Sequence, residues 1–451
     1  MHAPNDTISA IATAPGAGGV SVIRISGPDA YSVADRVFRC AGPPPSRRAA
    51  FTFTTGQVVE ADGTVVDEAL ALFFRAPRSF TREDVVELQG HGGPAVTRHV
   101  LRRTLEAGAR PAEPGEFTRR AFLNGRLDLV QAEAVLDLIR ARTDRAAAAA
   151  MDQLRGGLTP RLTHLYETLL ELAANLEATL DFADQELPDT ILTGLAERVS
   201  RLENEVKDLL ATWNEGHLLR DGATVVIAGK PNVGKSTLLN TLLGRDRAIV
   251  SDQPGTTRDT VEEGLVLEGI ALNLVDTAGL RDTTCRIEQE GIRRTEDRLR
   301  DADVFIYLVD SSQPIDKEDE ARIKSLDSAR CLVVANKQDL PGARTPALPT
   351  ELTSIPVSLK TGSGLDFFRS ELVRVLHSGR ASSIQHATIS ERHRTLLQSA
   401  LDEIHQAGEH LAGRTTPDPS LAAQALRNGV APIGLILGRE YHEDMLDSIF
   451  S

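Results

Sequence analysis

The chain has 451 residues, more than one hydrophobic core usually holds, so two or three domains are expected. Hydrophobic residues make up 41% and charged residues 25%, which excludes a mostly disordered or fibrous chain. A net charge of −14 and an aromatic content of 4% exclude a protein that grips nucleic acid by bulk electrostatics or on a broad stacking platform, so any RNA contact must be local or shared with a partner.

In chain order, residues 7–123 show short apolar runs between turn residues. Runs 20–25, 69–74 and 85–88 read as strands and 94–107 as a helix, an α+β unit. The Gly-Pro-Pro-Pro-Ser stretch at 42–46 reads as a loop, because strand-like sequence resumes at Phe51. Between residues 128 and 219 the period changes. Leu162, Leu165, Leu169, Leu172, Leu176 and Leu180 recur at steps of three and four, which predicts one buried helix face in a bundle and no chemistry. From 223 to about 376 strands and helices alternate, with 225–228, 272–275, 304–309 and 332–335 fully apolar, the pattern of a parallel sheet covered on both faces. After Ile389 the sequence is helical again, with Leu396, Leu397, Leu401, Leu421 and Leu426 as apolar positions. This tail is short for a core of its own, so it is expected to pack on the helices before residue 220, leaving the α/β domain as an insertion. The expected domains are 1–123, 124–219, 220–379 and 380–451. No run of about 18 uncharged apolar residues occurs, and residues 1–20 lack a basic start followed by an apolar run, so no membrane span and a cytoplasmic location are expected. Cys40, Cys285 and Cys331 lack metal-ligand spacing and build neither a disulfide framework nor a zinc site, which fits a reducing compartment.

The chemistry concentrates between residues 229 and 360. Gly229-Lys230-Pro231-Asn232-Val233-Gly234-Lys235-Ser236 follows an apolar strand and opens a helix at 237–243. Its glycines let backbone N–H groups wrap phosphates, Lys235 reaches the β and γ oxygens, and the Ser236 hydroxyl suits Mg²⁺. Asp276-Thr277-Ala278-Gly279 ends another strand, placing Asp276 to hold the magnesium through water and the Gly279 amide to sense the γ-phosphate. Asn336-Lys337-Gln338-Asp339 ends a third. The Asp339 carboxylate matches the adjacent N1–H and N2–H₂ donors of guanine and would meet an acceptor on adenine, so it selects GTP. Ser358-Leu359-Lys360 adds a backbone N–H for the guanine oxygen. Four such elements in this order imply a GTPase. Gly255-Thr256-Thr257-Arg258-Asp259 lies where a switch would close over the metal, with Thr257 as its candidate ligand and Thr256 beside it. Ras-like enzymes orient the attacking water with a glutamine just after Asp-x-x-Gly, but here that position is Leu280. Another residue and another cation are required. From the chemistry, either carboxylate of Glu288-Gln289-Glu290 could act through a water.

These strings resemble the MnmE (TrmE) family of tRNA modification GTPases, among the TrmE-Era-EngA-like GTPases. The likeness extends outside the GTPase motifs through Asp6-Thr7-Ile8, Gly18-Gly19-Val20, Ile23-Arg24-Ile25-Ser26-Gly27, Ser79-Phe80-Thr81-Arg82-Glu83-Asp84, Glu87-Leu88-Gln89-Gly90-His91-Gly92-Gly93, Pro114-Gly115-Glu116-Phe117 and Arg120-Ala121-Phe122-Leu123-Asn124. It implies a multidomain fold: an α+β N-terminal folate-binding domain that dimerises, an all-α helical domain, and an inserted α/β P-loop GTPase domain with a mainly parallel sheet. It implies GTP hydrolysis stimulated by potassium, with Asn232, Ser251, Gln253 and Thr256 around K⁺, Ser236 and Thr257 on Mg²⁺, and Glu288 with Lys235 as catalytic residues. The nucleotide contacts it implies are Asn232, Val233, Gly234, Lys235, Ser236 and Thr237; Ser251, Asp252, Gln253, Pro254, Gly255, Thr256 and Thr257; Asp276, Thr277, Ala278 and Gly279; Asn336, Lys337 and Asp339; and Ser358, Leu359 and Lys360. Arg24, Glu83 and Arg126 match positions that contact a 5,10-methylene- or 5-formyl-tetrahydrofolate, Arg126 standing where the family usually has lysine.

The resemblance further implies a homodimer acting with an FAD-containing partner of the GidA/MnmG type on the wobble uridine of tRNA. FAD and NADH enter only through that partner, since no flavin-binding glycine fingerprint is evident in this chain. The family closes with Phe-Cys-x-Gly-Lys, and this sequence stops at Asp447-Ser448-Ile449-Phe450-Ser451, where that motif should begin, so hydrolysis is expected to persist and the modification step to lack the motif's cysteine and lysine. Two rival readings share parts of the pattern. An Era- or EngA-like RNA assembly GTPase would need a basic RNA module beside the G domain, and a folate- and GTP-sensing binding protein would show no turnover.

Overall fold

The computed structural model describes residues 6–181, 189–245, 264–276, 302–325, 327–346, 348, 352–377, 389–412, 418–441 and 443–450. The chain forms two compact units, one from Met1–Leu136, Leu154–Leu195 and Asp402–Ser451, the other from Asp137–Gln153 and Ala196–Leu401.

The first unit begins with β1 (Ile8–Ile11), β2 (Val20–Ser26), α1 (Ala30–Val37), β3 (Phe38–Cys40), β4 (Thr52–Val59), β5 (Val65–Phe74), β6 (Val85–His91), α2 (Pro94–Glu106), β7 (Arg110–Pro111) and α3 (Glu116–Leu123). The strands form one seven-stranded sheet in the order β3-β4-β5-β6-β2-β1-β7, antiparallel except for the β1–β7 pair. Alternation decides its faces. Ile23, Ile25, Ala71, Phe73, Val86 and Leu88 are buried with Val33, Val37 and Val100 of α1 and α2. Arg24 and Glu87, on intervening positions, point to the opposite side and pair with each other. The expected strands are present but longer, the expected helix ends one residue earlier, at Glu106, and the 42–46 loop runs into a short 3₁₀ turn, Pro45–Arg47.

Helices follow: α4 (Leu129–Arg140), α5 (Asp144–Leu154), α6 (Thr159–Asp181), α7 (Asp189–Ala211) and α8 (Trp213–Arg220). Leu162, Leu165, Leu169, Leu172 and Leu176 are all buried along one face of α6.

The second unit continues with β8 (Ala223–Gly229), α9 (Lys235–Arg245), β9 (Gly264–Leu267), β10 (Ile270–Asp276), β11 (Val304–Asp310), α10 (Lys317–Ser325), β12 (Cys331–Asn336), β13 (Thr353–Pro356) and α11 (Leu365–Leu376). The six-stranded sheet runs β13-β12-β11-β8-β10-β9, parallel except for β9. Its near-continuous apolar strands are buried on both faces, against α9 and α11 on one side and against Ile323 of α10 on the other. The chain leaves β8 toward β10 and returns on the other side as β11, so a topological switch point lies at the end of β8, where doubly wound sheets place their ligand crevice.

The tail supplies α12 (Glu391–Ala412), α13 (Pro419–Leu437) and α14 (Glu443–Phe450). In the first unit α13 packs along α6, with Gly434 giving a close approach to the Tyr166 ring and Arg427 pairing with Glu177 at 3.0 Å. The apolar face of α13 differs from the expected one. Leu421 is 49% exposed, because it sits in the first turn where its N–H donates to the capping Asp418 carboxylate, while Ala422, Leu426, Ile433 and Ile436 are buried. Cys40 and Cys331 are free thiols, and burial pushes the latter up to about 12. Among the described residues no helix is long and apolar enough to cross a membrane.

Candidate functional site

At the switch point, strand β8 ends on Gly229 at φ 141°, and the chain turns through left-handed conformations at Asn232 (φ 63°) and Gly234 (φ 110°) before α9 starts at Lys235. Such a turn presents successive backbone N–H groups to one concavity at a helix N-terminus, where the helix dipole favours an anion. Two glycines are sterically required. A Cβ on Gly229 would lie 2.4 Å from the Leu308 carbonyl oxygen, and one on Gly234 would lie 2.4 Å from Asn336 Nδ2. Lys235 is 9% exposed, and its ammonium donates to the carbonyls of Gly229 (2.8 Å) and Lys230 (2.7 Å), which holds it over the loop. Ser236 and Thr237 are exposed in the first turn of α9. Asp276 is the last residue of β10, in register with Ile227 of β8 and so at the same end of the sheet.

The base-reading elements join this loop through one side chain. Asn336 donates from Nδ2 to the Val233 carbonyl at 2.8 Å and accepts at Oδ1 from the Leu359 N–H at 3.1 Å, so the phosphate loop, the third motif and Ser358-Leu359-Lys360 form one hydrogen-bonded body. Asp339 is exposed, and its carboxylate accepts from the Ser358 hydroxyl at 2.7 Å. That hydrogen bond holds the Asp339 carboxyl below its ordinary value, keeping it an acceptor. Lys337, at φ 69°, pairs with Asp310 at 2.6 Å; against the desolvation of the aspartate, this contact lowers the Asp310 pKa. Sequence reasoning missed two anchors. Lys230 pairs with Asp316 and, at 2.9 Å, with Asp319, whose other oxygen accepts from the Tyr307 hydroxyl at 2.8 Å, and no local pattern marks those acids.

Several expected site residues lie outside the described residues: Ser251, Asp252, Gln253, Pro254, Gly255, Thr256, Thr257, Thr277, Ala278, Gly279, Leu280, Glu288 and Glu290.

A second polar site lies in the first unit. Arg24 Nε donates to Glu87 at 2.8 Å, and its guanidinium lies 5.1 Å from the Phe80 ring centre. The Arg126 guanidinium lies 4.7 Å from the same ring and donates to the Phe80 carbonyl at 2.7 Å. Glu83, three residues further along the same turn, accepts from Ser26 Oγ at 2.6 Å and from Arg120 at 3.1 and 3.3 Å. The three expected residues are therefore gathered around one turn. What the sequence did not disclose is the frame beneath them: Arg120 also holds Asp6 and Glu116, and Arg110 bridges that same pair of carboxylates. Desolvation opposes the charge on Arg120, but the carboxylates of Glu83, Glu116 and Asp6 outweigh it and raise its pKa. Motif strings named Asp6, Glu83, Glu116 and Arg120, but not Arg110, without assigning the network, because the pairing is long-range.

A phosphate-wrapping loop at the switch point of a mainly parallel sheet, bonded to an Asn-Lys-x-Asp element with a free acceptor for guanine, defines a P-loop GTPase. The family model described as GTP-binding protein TrmE N-terminus matches residues 7–126, and that of the MnmE helical domain matches residues 129–451. Proteins named tRNA modification GTPase MnmE from Geobacter sulfurreducens, Geobacter metallireducens and Symbiobacterium thermophilum are 45%, 43% and 44% identical, each over 99% of this chain and 98% of the relative. The chain belongs to the MnmE family, and it is a GTP hydrolase.

Proposed function

We propose that this GTPase is stimulated by potassium and acts as a homodimer in the cytoplasm, with an FAD-containing partner of the MnmG type, to place an aminomethyl-derived group on C5 of the wobble uridine of tRNA, drawing carbon from a tetrahydrofolate. Its relatives carry tRNA modification in their name. One observation carries the potassium reading. Asn232 is exposed at the rim of the phosphate loop in a left-handed backbone conformation, and its side chain makes no hydrogen bond among the described residues. A neutral amide oxygen so placed suits a monovalent cation, and the exposed Ser236 hydroxyl at the start of α9 suits a hard divalent one. Bound there, K⁺ supplies near the transferring phosphate the positive charge that an arginine finger gives elsewhere.

The remaining assignments follow the family resemblance. Lys235 binds phosphate oxygens, Asp339 reads guanine, and Glu288 orients the attacking water. Thr257, with Ser236, is assigned to Mg²⁺, and Ser251, Gln253 and Thr256 to K⁺ beside Asn232. Arg24, Glu83 and Arg126 bind the folate; Glu83, fixed by Arg120 and Ser26, offers acceptor oxygens to the donor edge of a pterin. FAD and NADH enter only through the partner.

Glu288→Ala is expected to slow single-turnover hydrolysis by on the order of a hundredfold or more while sparing GTP affinity, since a positioned base contributes that much. Unchanged turnover would remove Glu288 from this role. Incubation of the protein with its flavin partner, a tetrahydrofolate, GTP and tRNA should yield C5-modified uridine in KCl; its absence there, with hydrolysis intact, would overturn the modification reading.

A further inference from the structure

Two turns face each other at the second polar site and are stapled by three hydrogen bonds. Arg126 Nη1 donates to the Phe80 carbonyl (2.7 Å), Arg82 Nη1 to the Asn124 carbonyl (3.0 Å), and Asn124 Nδ2 to the Thr81 carbonyl (2.7 Å). Arg82 adopts φ 60°, a left-handed conformation that a bulky side chain enters only when the surroundings impose it. Around it three guanidiniums converge. Arg24 and Arg126 both lie over Phe80, and repulsion from Arg24 and Arg82, after partial desolvation, weakens the hold of Arg126 on its proton.

The charges at this place do not balance. Arg24 has a carboxylate partner in Glu87, and Glu83 is already engaged by Arg120. Arg82 and Arg126 are exposed, and their hydrogen bonds among the described residues go to backbone carbonyls alone. In this unit Arg75 pairs with Asp84, Arg103 with Glu106, and Arg110 with Asp6 and Glu116, whereas Arg36 and Arg39, like Arg82 and Arg126, donate to backbone carbonyls. Arg126 over the Phe80 ring and Arg82 across the staple, neither with a carboxylate partner among the described residues, are complementary to a ligand with a flat body and a doubly anionic end.

We infer that Arg82 is a further ligand-binding residue of this site, and that Arg82 and Arg126 together hold the two carboxylates of the ligand's glutamyl tail, so that the site selects tetrahydrofolates by that tail. This rests on the folate reading above and deepens it. Arg24 and Glu83 then serve the pterin end, and the tail end carries the selectivity.

The test is a cycle of two ligands and two proteins by isothermal titration calorimetry: 5-formyltetrahydrofolate and the matching tetrahydropteroyl methylamide, which lacks both tail carboxylates, each against wild type and Arg82→Gln. Wild type should bind the glutamyl form about tenfold more tightly, since the tail makes two partly exposed charge-assisted contacts. Arg82→Gln should weaken the glutamyl form about fivefold and leave the methylamide unchanged. Equal losses for both ligands would make Arg82 a staple between turns and overturn the inference, as would no loss for either. Failure of wild type to bind either ligand would overturn the folate reading itself, a result distinct from the other two. Arg82→Lys keeps the charge and is expected to restore part of the preference for the glutamyl form.

Discussion

Asp339 has no other task than to accept. Its exposed carboxylate is aligned by one hydroxyl, that of Ser358, and is kept ionised by it. Replacing it with asparagine puts a donor where guanine also donates, so Asp339→Asn should weaken GTP by on the order of a hundredfold while admitting a xanthine nucleotide, whose C2 carbonyl accepts. Competition with a fluorescent nucleotide reads this directly; undiminished GTP affinity would separate Asp339 from base reading. Beneath it, Asn336 uses both ends of its amide to bind two loops, and Gly234 leaves no room for a Cβ beside that amide. Gly234→Ala combines this clash with a φ of 110°, so it should cost about 2 kcal/mol of stability and most nucleotide affinity. A Tm and GTP affinity both equal to wild type would show that the three motifs are not one hydrogen-bonded body.

Elements in this protein were legible where one local rule decided them. The leucine repeat of α6 is periodic, and five of its six members are fully buried; Leu169→Ala should therefore lower unfolding free energy by about 2–5 kcal/mol in a urea titration, and a change under about 1 kcal/mol would contradict a packed face. Continuous apolar strands announced the parallel sheet, and glycine spacing announced the phosphate loop. Less visible was whatever long-range pairing decides. Arg120 belongs to the second polar site because Asp6, Glu83 and Glu116 meet there from distant segments, and Leu421 faces outward because a capping aspartate starts its helix. Helix α8, which leads into β8, shows the same dependence. His217 donates from Nδ1 to the Asp221 carboxylate at 2.9 Å, approaches Asp303 at 3.7 Å, and stacks on Trp213, over which Arg394 lies; Arg220 is the other nearby cation. The Asp221 bond raises its pKa above the ordinary 6.5 against desolvation. Since the folded value exceeds the unfolded one, the pair stabilises fully below the ordinary value, and the contribution is lost as pH rises through the raised one. The Tm advantage of wild type over His217→Gln should be largest below pH 6.5 and shrink as pH rises through the raised value. A constant difference would mean that the imidazole packs without titrating.

For the whole molecule, Leu280 in place of a glutamine after Asp-x-x-Gly leaves the attacking water to another residue, and one further question is what neutralises the phosphoryl group as it transfers. We propose a monovalent cation at Asn232, which is exposed in the phosphate loop. It is also the feature that separates this reading from a GTP-sensing binding protein, which would bind the same nucleotide without turnover. The most direct measurement is single-turnover phosphate release from GTP in KCl and in NaCl at equal ionic strength, for wild type and Asn232→Ala. Hydrolysis should be at least about tenfold faster in potassium, a difference abolished by the substitution, because one full charge near the phosphate is worth that much or more. Equal rates in the two salts, or a potassium effect that survives Asn232→Ala, would contradict it.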